Sequence, residues 1–576
     1  MYIANVHIKN FRNFTTVDIP LKQFTLIVGK NDTGKSNFVD ALNILLFNNK
    51  GNYYAKSLSK YDFNNKCVDD FVSKMKAFYQ IMKDEFNVED YVAKLIDNAP
   101  AITIRLRFED PKNAYEQSLL RDWMNGDEKL QYFEVEFRYF LKDSNKVKKV
   151  INDLQKEELL EDRHADFQLL LECYNYSLKS TNNNKEVDYS SIRNFVANTI
   201  GAERDSFSSG DSSGATRVVS SIIDSSMNQK DKAELTRRYR EFFKGIQSLD
   251  SFRNLYKDIV AQNKSIEDFI NEIILVPNAK KYKDIIENIT LSYGNDMLFQ
   301  RGLGTRNLIF LLTLYSYFLS DINERSIFNL VCIEEPESHL DINNLKIAVD
   351  FFEKAQGQST LTQLIIATHS NQIMNKLKLS NVVIFHEDDK VIDLSGINDE
   401  LVYYLAKREN FDTLNMFYAT KLILVEGATE EIYINAIQQR DPSLSNIRVI
   451  SIGQKGFRTF IEAWCSLHDN SEHKLGIVRD YDNQINAKKD HEAYNSNTIC
   501  VKTSSGKEFE EDFICEGDNL ARLNKLFNTK YSEKEMYDYM ISDKLENIIA
   551  ICQAIDIGES FLIPKYIGSV LEWIKK

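Results

Sequence analysis

The eight residues GKNDTGKS at positions 29–36 decide how the first half of this chain folds. An apolar run, Phe24-Thr25-Leu26-Ile27-Val28, precedes them, and Asn37-Phe38-Val39-Asp40-Ala41-Leu42 follows with helical spacing of its apolar members. Strand, glycine loop and helix in that order are the context that a GxxxxGK[ST] phosphate-binding loop requires. In such a loop the backbone N–H groups and the helix N-terminus cradle phosphate. Gly29, Asn31 and Gly34 then shape the cradle, Lys35 reaches the terminal phosphates, and the Ser36 hydroxyl faces Mg²⁺. A surface glycine turn would share the glycines but has no need of the Lys-Ser pair or of both flanking elements.

Working outward, 576 residues are too many for one simple core, so two or more domains are expected. An apolar share of 43% and a charged share of 27% are those of an ordinary globular protein. The first residues lack the basic start and apolar run of a signal peptide, and no apolar run has the length of a membrane span. A cytoplasmic protein with no membrane partner is expected. Seven cysteines lie scattered without a CxxC pair, which argues against a zinc site or a disulfide framework. The net charge of −14 argues against a protein that coats nucleic acid non-specifically, although it is compatible with a local basic groove.

Ile3, Val6, Ile8, Phe11 and Phe14, then Val17, Ile19 and Leu21, read as two antiparallel strands joined through Asn10-Phe11-Arg12-Asn13. The run from Ile8 through Asn13 to the glycine loop resembles the start of ATP-binding cassette (ABC) ATPases of the repair and SMC type. Residues 102–108 and 132–141 alternate as strands of an accompanying antiparallel sheet. Residues 151–283 read as a mostly helical insertion for dimerisation or reach, interrupted by a Ser/Gly loop at 206–214. Within it, Arg237, Arg240 and Lys244 share a helical face that could grip DNA phosphates, though a solvated face explains the same spacing.

The ATPase pattern resumes after residue 283. A continuous apolar strand, Phe328 to Ile333, ends in Glu334-Glu335-Pro336-Glu337. Glu334 is expected to orient Mg²⁺ and Glu335 to polarise the attacking water. A second apolar strand ends in Thr368-His369-Ser370, where His369 would sense the γ-phosphate. Arg301-Gly302-Leu303-Gly304 resembles a degenerate signature loop, which in this family touches the nucleotide of the opposite subunit. Glu334 where Asp is usual, and a signature loop without Ser-Gly-Gly, favour ATP binding over fast turnover. A sandwiched ATP would imply a homodimer or a higher assembly such as a dimer of dimers.

A second strand–helix alternation begins at Lys421 and reads as a small parallel α/β domain. Glu426 falls at the end of its first strand and Glu430 in the first turn of the next helix. Asp480 and Asp482 follow another strand, and period-two alternation would point both to one side. So many carboxylates at strand ends call for divalent metal, and all-oxygen ligands favour Mg²⁺ or Mn²⁺ over zinc.

Val425-Glu426-Gly427 with Glu430, followed by Asp480-Tyr481-Asp482, resembles the TOPRIM domain of topoisomerases, primases and some nucleases. An ABC-type ATPase head joined to a C-terminal TOPRIM domain resembles the overcoming lysogenization defect (OLD) family of nucleases. The layout is most similar to the nuclease subunits of Gabija anti-phage systems. That resemblance implies an α/β architecture in which the ATPase head is built from two segments, 1–150 and 284–395. The helical insertion at 151–283 separates them, and a connector at 396–418 follows. A TOPRIM nuclease domain at 419–517 and a helical region at 518–576 that completes its site would end the chain. The resemblance further implies Glu510 and Asp512 as additional metal ligands and Lys565 as the lysine that steadies the pentavalent phosphate. Double-stranded DNA is the implied substrate, and a UvrD-like helicase an implied partner. The alternative is an ATP-driven repair or SMC-like DNA-binding protein whose TOPRIM domain is not catalytic.

Overall fold

The computed structural model describes residues 1–48, 58–125, 132–182, 184–187, 192–202, 223–224, 227–250, 292–293, 296–297, 300–320, 327–358, 362–370, 373, 379–386, 389–394, 418–453, 456–468 and 473–576. The Ser/Gly loop at 206–214 and most of the connector at 396–418 lie outside them. The chain divides into two compact units, Met1–Ile373 with Val383–Val391, and Met374–Val382 with Ile392–Lys576.

In the first unit the strands Tyr2–Phe11 and Phe14–Pro20 form the expected hairpin, closing through the pair Phe11 and Phe14. Tyr2–Phe11 continues the antiparallel sheet into Ile102–Glu109, which pairs with Tyr132–Leu141. Beside it stands a seven-stranded sheet in the order Val391–Asp393, Val382–Phe385, Phe24–Gly29, Thr362–Thr368, Phe328–Glu334, Phe195–Ile200, Phe47–Asn48. Phe24–Gly29, Thr362–Thr368, Phe328–Glu334 and Phe195–Ile200 run parallel and are covered on both faces. That double burial is why Leu330 to Ile333 and Leu364 to Ala367 are unbroken apolar runs.

Two stretches differ from the expected helical insertion. Tyr174–Ser180 is an antiparallel partner of Tyr132–Leu141, and Phe195–Ile200 lies in the parallel sheet beside Phe328–Glu334. The polar sequence YNYSLKS carries little alternation; cross-strand pairing supplies what local propensity does not. The helix Gln229–Gln247 does form, and its basic face is solvated: Arg237 pairs with Glu234 and Glu241. Val391–Asp393 adds an edge strand beyond Val382–Phe385.

Gln363 ties the two sheets together. Its buried amide donates to the carbonyls of Ile3 at 2.9 Å and Lys22 at 2.8 Å, and its oxygen accepts the Ile3 N–H at 2.8 Å. The Phe385 ring packs edge-on against Phe38 and Phe14, with centroids 5.7 and 6.2 Å away, seating the glycine-loop helix Lys35–Leu45 on the sheet.

The second unit has a four-stranded parallel sheet in the order Ile447–Ser451, Lys421–Val425, Lys474–Arg479, Ile499–Thr503. Chain order along it is two, one, three, four, so the topology switches between Lys421–Val425 and Lys474–Arg479. Open parallel sheets bind ligands at the carboxyl ends of strands beside such a switch. Ile499–Thr503 has no counterpart in the sequence reading. The tail helices Asn519–Leu526, Glu533–Ser542, Lys544–Ile557 and Lys565–Lys575 share one core with the sheet: Ile548 and Ile551 pack with Tyr433 and Ile434, and Val570 and Ile574 with Ile423. Gly476 makes the close approach possible, since a Cβ there would meet Val570 Cγ1 at 2.5 Å.

Gln363→Leu should destabilise the first unit by about 2–4 kcal/mol, because the buried N–H and carbonyl of Ile3 lose their Gln363 partner. Denaturant unfolding of the whole chain measures it, and an unchanged midpoint for the first unit would contradict the role.

Candidate functional site

The glycine loop leads from the strand Phe24–Gly29 straight into the helix Lys35–Leu45. Gly34 sits at φ +98°, and a Cβ there would lie 2.4 Å from the Asn13 side chain, so both conformation and space require glycine. Lys35 is buried, and its ammonium donates to the carbonyls of Gly29 and Lys30 at 2.7 Å each. Burial pushes its pKa down, against the raising influence of Glu335 and Glu337. Asn31 is exposed on the loop, and Ser36 Oγ donates to Glu334 Oε2 at 2.6 Å. That bond sets a hydroxyl and a carboxylate side by side, the pair expected around Mg²⁺. Arg12 holds the hairpin turn against the loop helix, donating to Asp40 at 2.5 Å, Asn37 at 3.0 Å and Asp62 at 3.2 Å.

Glu335 leaves its strand at φ +44°, a conformation rare outside glycine, and its N–H donates to Ala367 O at 2.8 Å. The His369 ring nitrogen lies 3.7 Å from Glu335 and 3.4 Å from Glu337. Glu337, which had no role in the sequence reading, accepts the Thr368 hydroxyl at 2.6 Å and the His369 N–H at 3.0 Å. Lys35, Ser36, Glu334, Glu335 and His369 thus gather at the ends of three neighbouring parallel strands. A Cβ on Gly304 would lie 3.1 Å from the His339 carbonyl, and Asn307 donates to Ser338 O at 3.3 Å, so the segment from Gly304 to Asn307 packs on the turn after Glu337.

In the second unit, Glu426 and Asp480 meet at the switch point: the Asp480 N–H donates to Glu426 Oε2 at 3.1 Å. Glu430 is 4% exposed, and one oxygen caps its own helix through the Gly427 N–H at 3.0 Å. Glu510 is 1% exposed. Burial and the mutual repulsion of these groups push Asp480 up to about 9 and Glu430 up to about 7. Burial likewise raises Glu426 and Glu510. Asp480 Oδ1 is buried without a hydrogen-bond partner.

Asp482 is not on the strand at all. The strand ends at Arg479, and Asp482 occupies an exposed left-handed turn at φ +48°. Its N–H donates to Lys507 O at 2.9 Å, which ties the turn to the loop after Ile499–Thr503. Period-two alternation therefore does not reach Asp482, because a turn and not a strand sets it. Its charge still adds to the effect of burial in raising Glu426. Asp512 spends both oxygens on the loop before its helix, accepting the N–H groups of Ser505 at 2.7 Å and Gly506 at 2.6 Å.

Lys565 is 89% exposed, 3.9 Å from Glu516 at the start of the last helix. The lysine that stands on the carboxylates is Lys544, which donates to Glu508 at 2.6 Å and Glu510 at 3.2 Å. Burial alone would lower its pKa, but those two partners outweigh it and raise the group. Tyr537 completes the group by donating to Glu508. Nothing in the sequence marks Lys544, because it belongs to no motif and reaches the site only through the packing of the tail. Among the described residues no three such side chains are closed into a ready-made metal cage. The donors are nonetheless all oxygen, with Glu430 and Glu510 buried behind the half-buried Glu426 and Asp480, which fits a hard divalent cation.

Residues 1–374 match the AAA ATPase domain family. The chain belongs to that family. Residues 417–482 match the TOPRIM domain of overcoming lysogenization defect-like proteins, so the expected pairing of an ATPase head with an OLD-like TOPRIM domain is present. The chain is 24% identical over 522 residues to Endonuclease GajA of Bacillus cereus strain HuB5-5, covering 75% of this chain and 70% of that one. It is 25% identical over 513 residues to Endonuclease GajA of Bacillus cereus strain VD045, covering 85% and 76%. An SMC head bound to the C-winged helix domain of ScpA aligns with 68% of this chain and 97% of its own, at 15% identity and a TM-score of 0.31. That score is too low to bear on the fold, which rests on the sheet topology.

Lys544→Met should lower the stability of the second unit by about 2 kcal/mol, because buried Glu510 loses its counter-ion. Adding Glu510→Gln should restore some of the loss. Thermal unfolding of the single and double variants measures both, and additive losses would contradict the pairing.

Proposed function

We propose that the chain is a metal-dependent DNA endonuclease whose TOPRIM site cuts phosphodiesters under the control of ATP bound at the head. The observation that carries the reading is the buried, unpartnered Asp480 Oδ1 among Glu426, Glu430 and Glu510. Such a cluster holds surplus negative charge unless protons or a cation offset it. The names of the GajA relatives support the nuclease assignment.

In this reading Glu426, Asp480 and Asp482 hold the cation, with Glu430 and Glu510 behind them and Asp512 shaping the adjoining loop. A bound Mg²⁺ or Mn²⁺ would activate water and offset the charge developing on the phosphate. Lys544 holds Glu508 and Glu510 in place and favours their charged forms against the burial that raises Glu510. Lys565, held only loosely by Glu516, can turn towards a substrate phosphate. At the head, Lys35, Ser36 and Glu334 bind ATP and its Mg²⁺, while Glu335 and His369 face the γ-phosphate. Double-stranded DNA is the proposed substrate and a homodimer the smallest proposed assembly. A role in anti-phage defence beside a UvrD-like helicase follows from the family resemblance.

A plasmid-cleavage assay with Mg²⁺ or Mn²⁺ tests the site. Asp480→Ala should reduce cutting by at least about 100-fold, since it removes a direct ligand rather than a supporting group. Cutting at the wild-type rate would contradict the assignment.

The same assay tests the head. Lys35→Ala should cut at one rate with and without ATP, as expected if nucleotide regulates the nuclease. A variant unable to cut under any condition would show that ATP is required instead.

A further inference from the structure

Beside the carboxylates lies a pocket of about 610 Å³ that none of the roles above uses. Tyr481 and Tyr537 line it, with the loop Ser505-Gly506-Lys507 along one side and Lys534 at the rim. Both rings are half-buried, whereas Lys507 and Lys534 are exposed. Tyr481 stands between Asp480 and Asp482 in the chain, so one pocket wall begins within a residue of the reacting centre. Its N–H donates to Ser504 Oγ at 2.9 Å, and that hydroxyl donates to Gly506 O at 2.9 Å, which fixes the wall to the loop. Tyr537 is joined to the site from the other side, through Glu508 and Lys544.

We infer that this pocket receives one nucleobase of the DNA, unstacked next to the phosphate that is cut. This rests on the nuclease reading and names its substrate more closely, as DNA carrying an unpaired or extruded nucleotide. The volume is enough for a single nucleotide. Two tyrosines offer π-faces, which every base can stack on. The charge of the lining argues against an anion as occupant: Glu511 and Glu533 stand beside the two lysines. A neutral base suits that balanced lining, with its edge facing the polar loop and its phosphate outside. Lys488, whose ammonium is 5.7 Å from the Tyr481 ring centroid, supplies a positive charge for the flanking backbone. Enzymes that take a nucleotide out of a duplex gain selectivity where it is already unpaired, because less stacking is lost.

The test measures binding without cleavage, using the full chain in EDTA and fluorescence anisotropy. Two labelled duplexes of the same sequence are compared, one fully paired and one carrying a single unpaired thymidine. The wild type should bind the second about tenfold more tightly, the effect of roughly one base–aromatic stack. Tyr481→Phe should keep that preference. Tyr481→Ala should abolish it, bringing the two duplexes to one affinity. Equal binding of both duplexes by the wild type, or a preference that survives in Tyr481→Ala, would overturn the inference. Loss of all DNA binding in Tyr481→Phe would also overturn it, since the ring would then be supporting the fold of the site. Because no cutting is read, the pocket can fail while Asp480→Ala still abolishes plasmid cleavage, and the reverse outcome is equally distinguishable.

Discussion

Negative charge crowded at the carboxyl end of a parallel sheet governs the second unit. Glu426 and Asp480 touch through a backbone N–H, and Glu430 and Glu510 are buried close by. Like charges removed from water cannot all stay ionised, so the site must hold protons, a cation or both. Asp480 and Glu430 follow that rule, both held well above the ordinary carboxylate range. The surroundings supply only some of the counter-charge. Lys544 sits on Glu508 and Glu510, leaving Asp480 Oδ1 without a partner.

The tail takes this form because of that constraint. Lys544 opens the helix Lys544–Ile557, whose Ile548 and Ile551 share a core with Tyr433 and Ile434 of the Glu430 helix. The counter-ion is therefore positioned by apolar packing on the helix that carries one of the acids. The last helix closes on the sheet because Gly476 leaves room for Val570. Its buried Tyr566 hydroxyl, pushed far up by burial and by Asp480 and Glu430, belongs to the same environment. The first unit meets the opposite demand. There a buried cation, Lys35, rests on backbone carbonyls, and Glu335 and Glu337 favour its charge.

Contiguous motifs were legible in the sequence because their chemistry is local. Residues 29–36 need only a strand before and a helix after, and both are there. Glu334, Glu335, Glu426 and Asp480 stand at strand ends that long apolar runs announce. What stayed hidden depends on partners far away in the chain. Tyr174–Ser180 and Phe195–Ile200 become strands through neighbours in the sheets rather than through their own pattern. Asp482 escaped the period-two rule because its strand stops at Arg479, and no spacing rule extends into a left-handed turn. Lys544, the lysine in contact with the acids, belongs to no motif and is brought there by tertiary packing alone.

Mn²⁺ binding to the nucleotide-free full chain, followed by the loss of the free-ion paramagnetic resonance signal, tests most directly whether the acidic cluster holds a divalent cation. The wild type should bind Mn²⁺ at a site that Asp480→Asn removes. Equal Mn²⁺ binding by both proteins would contradict the account.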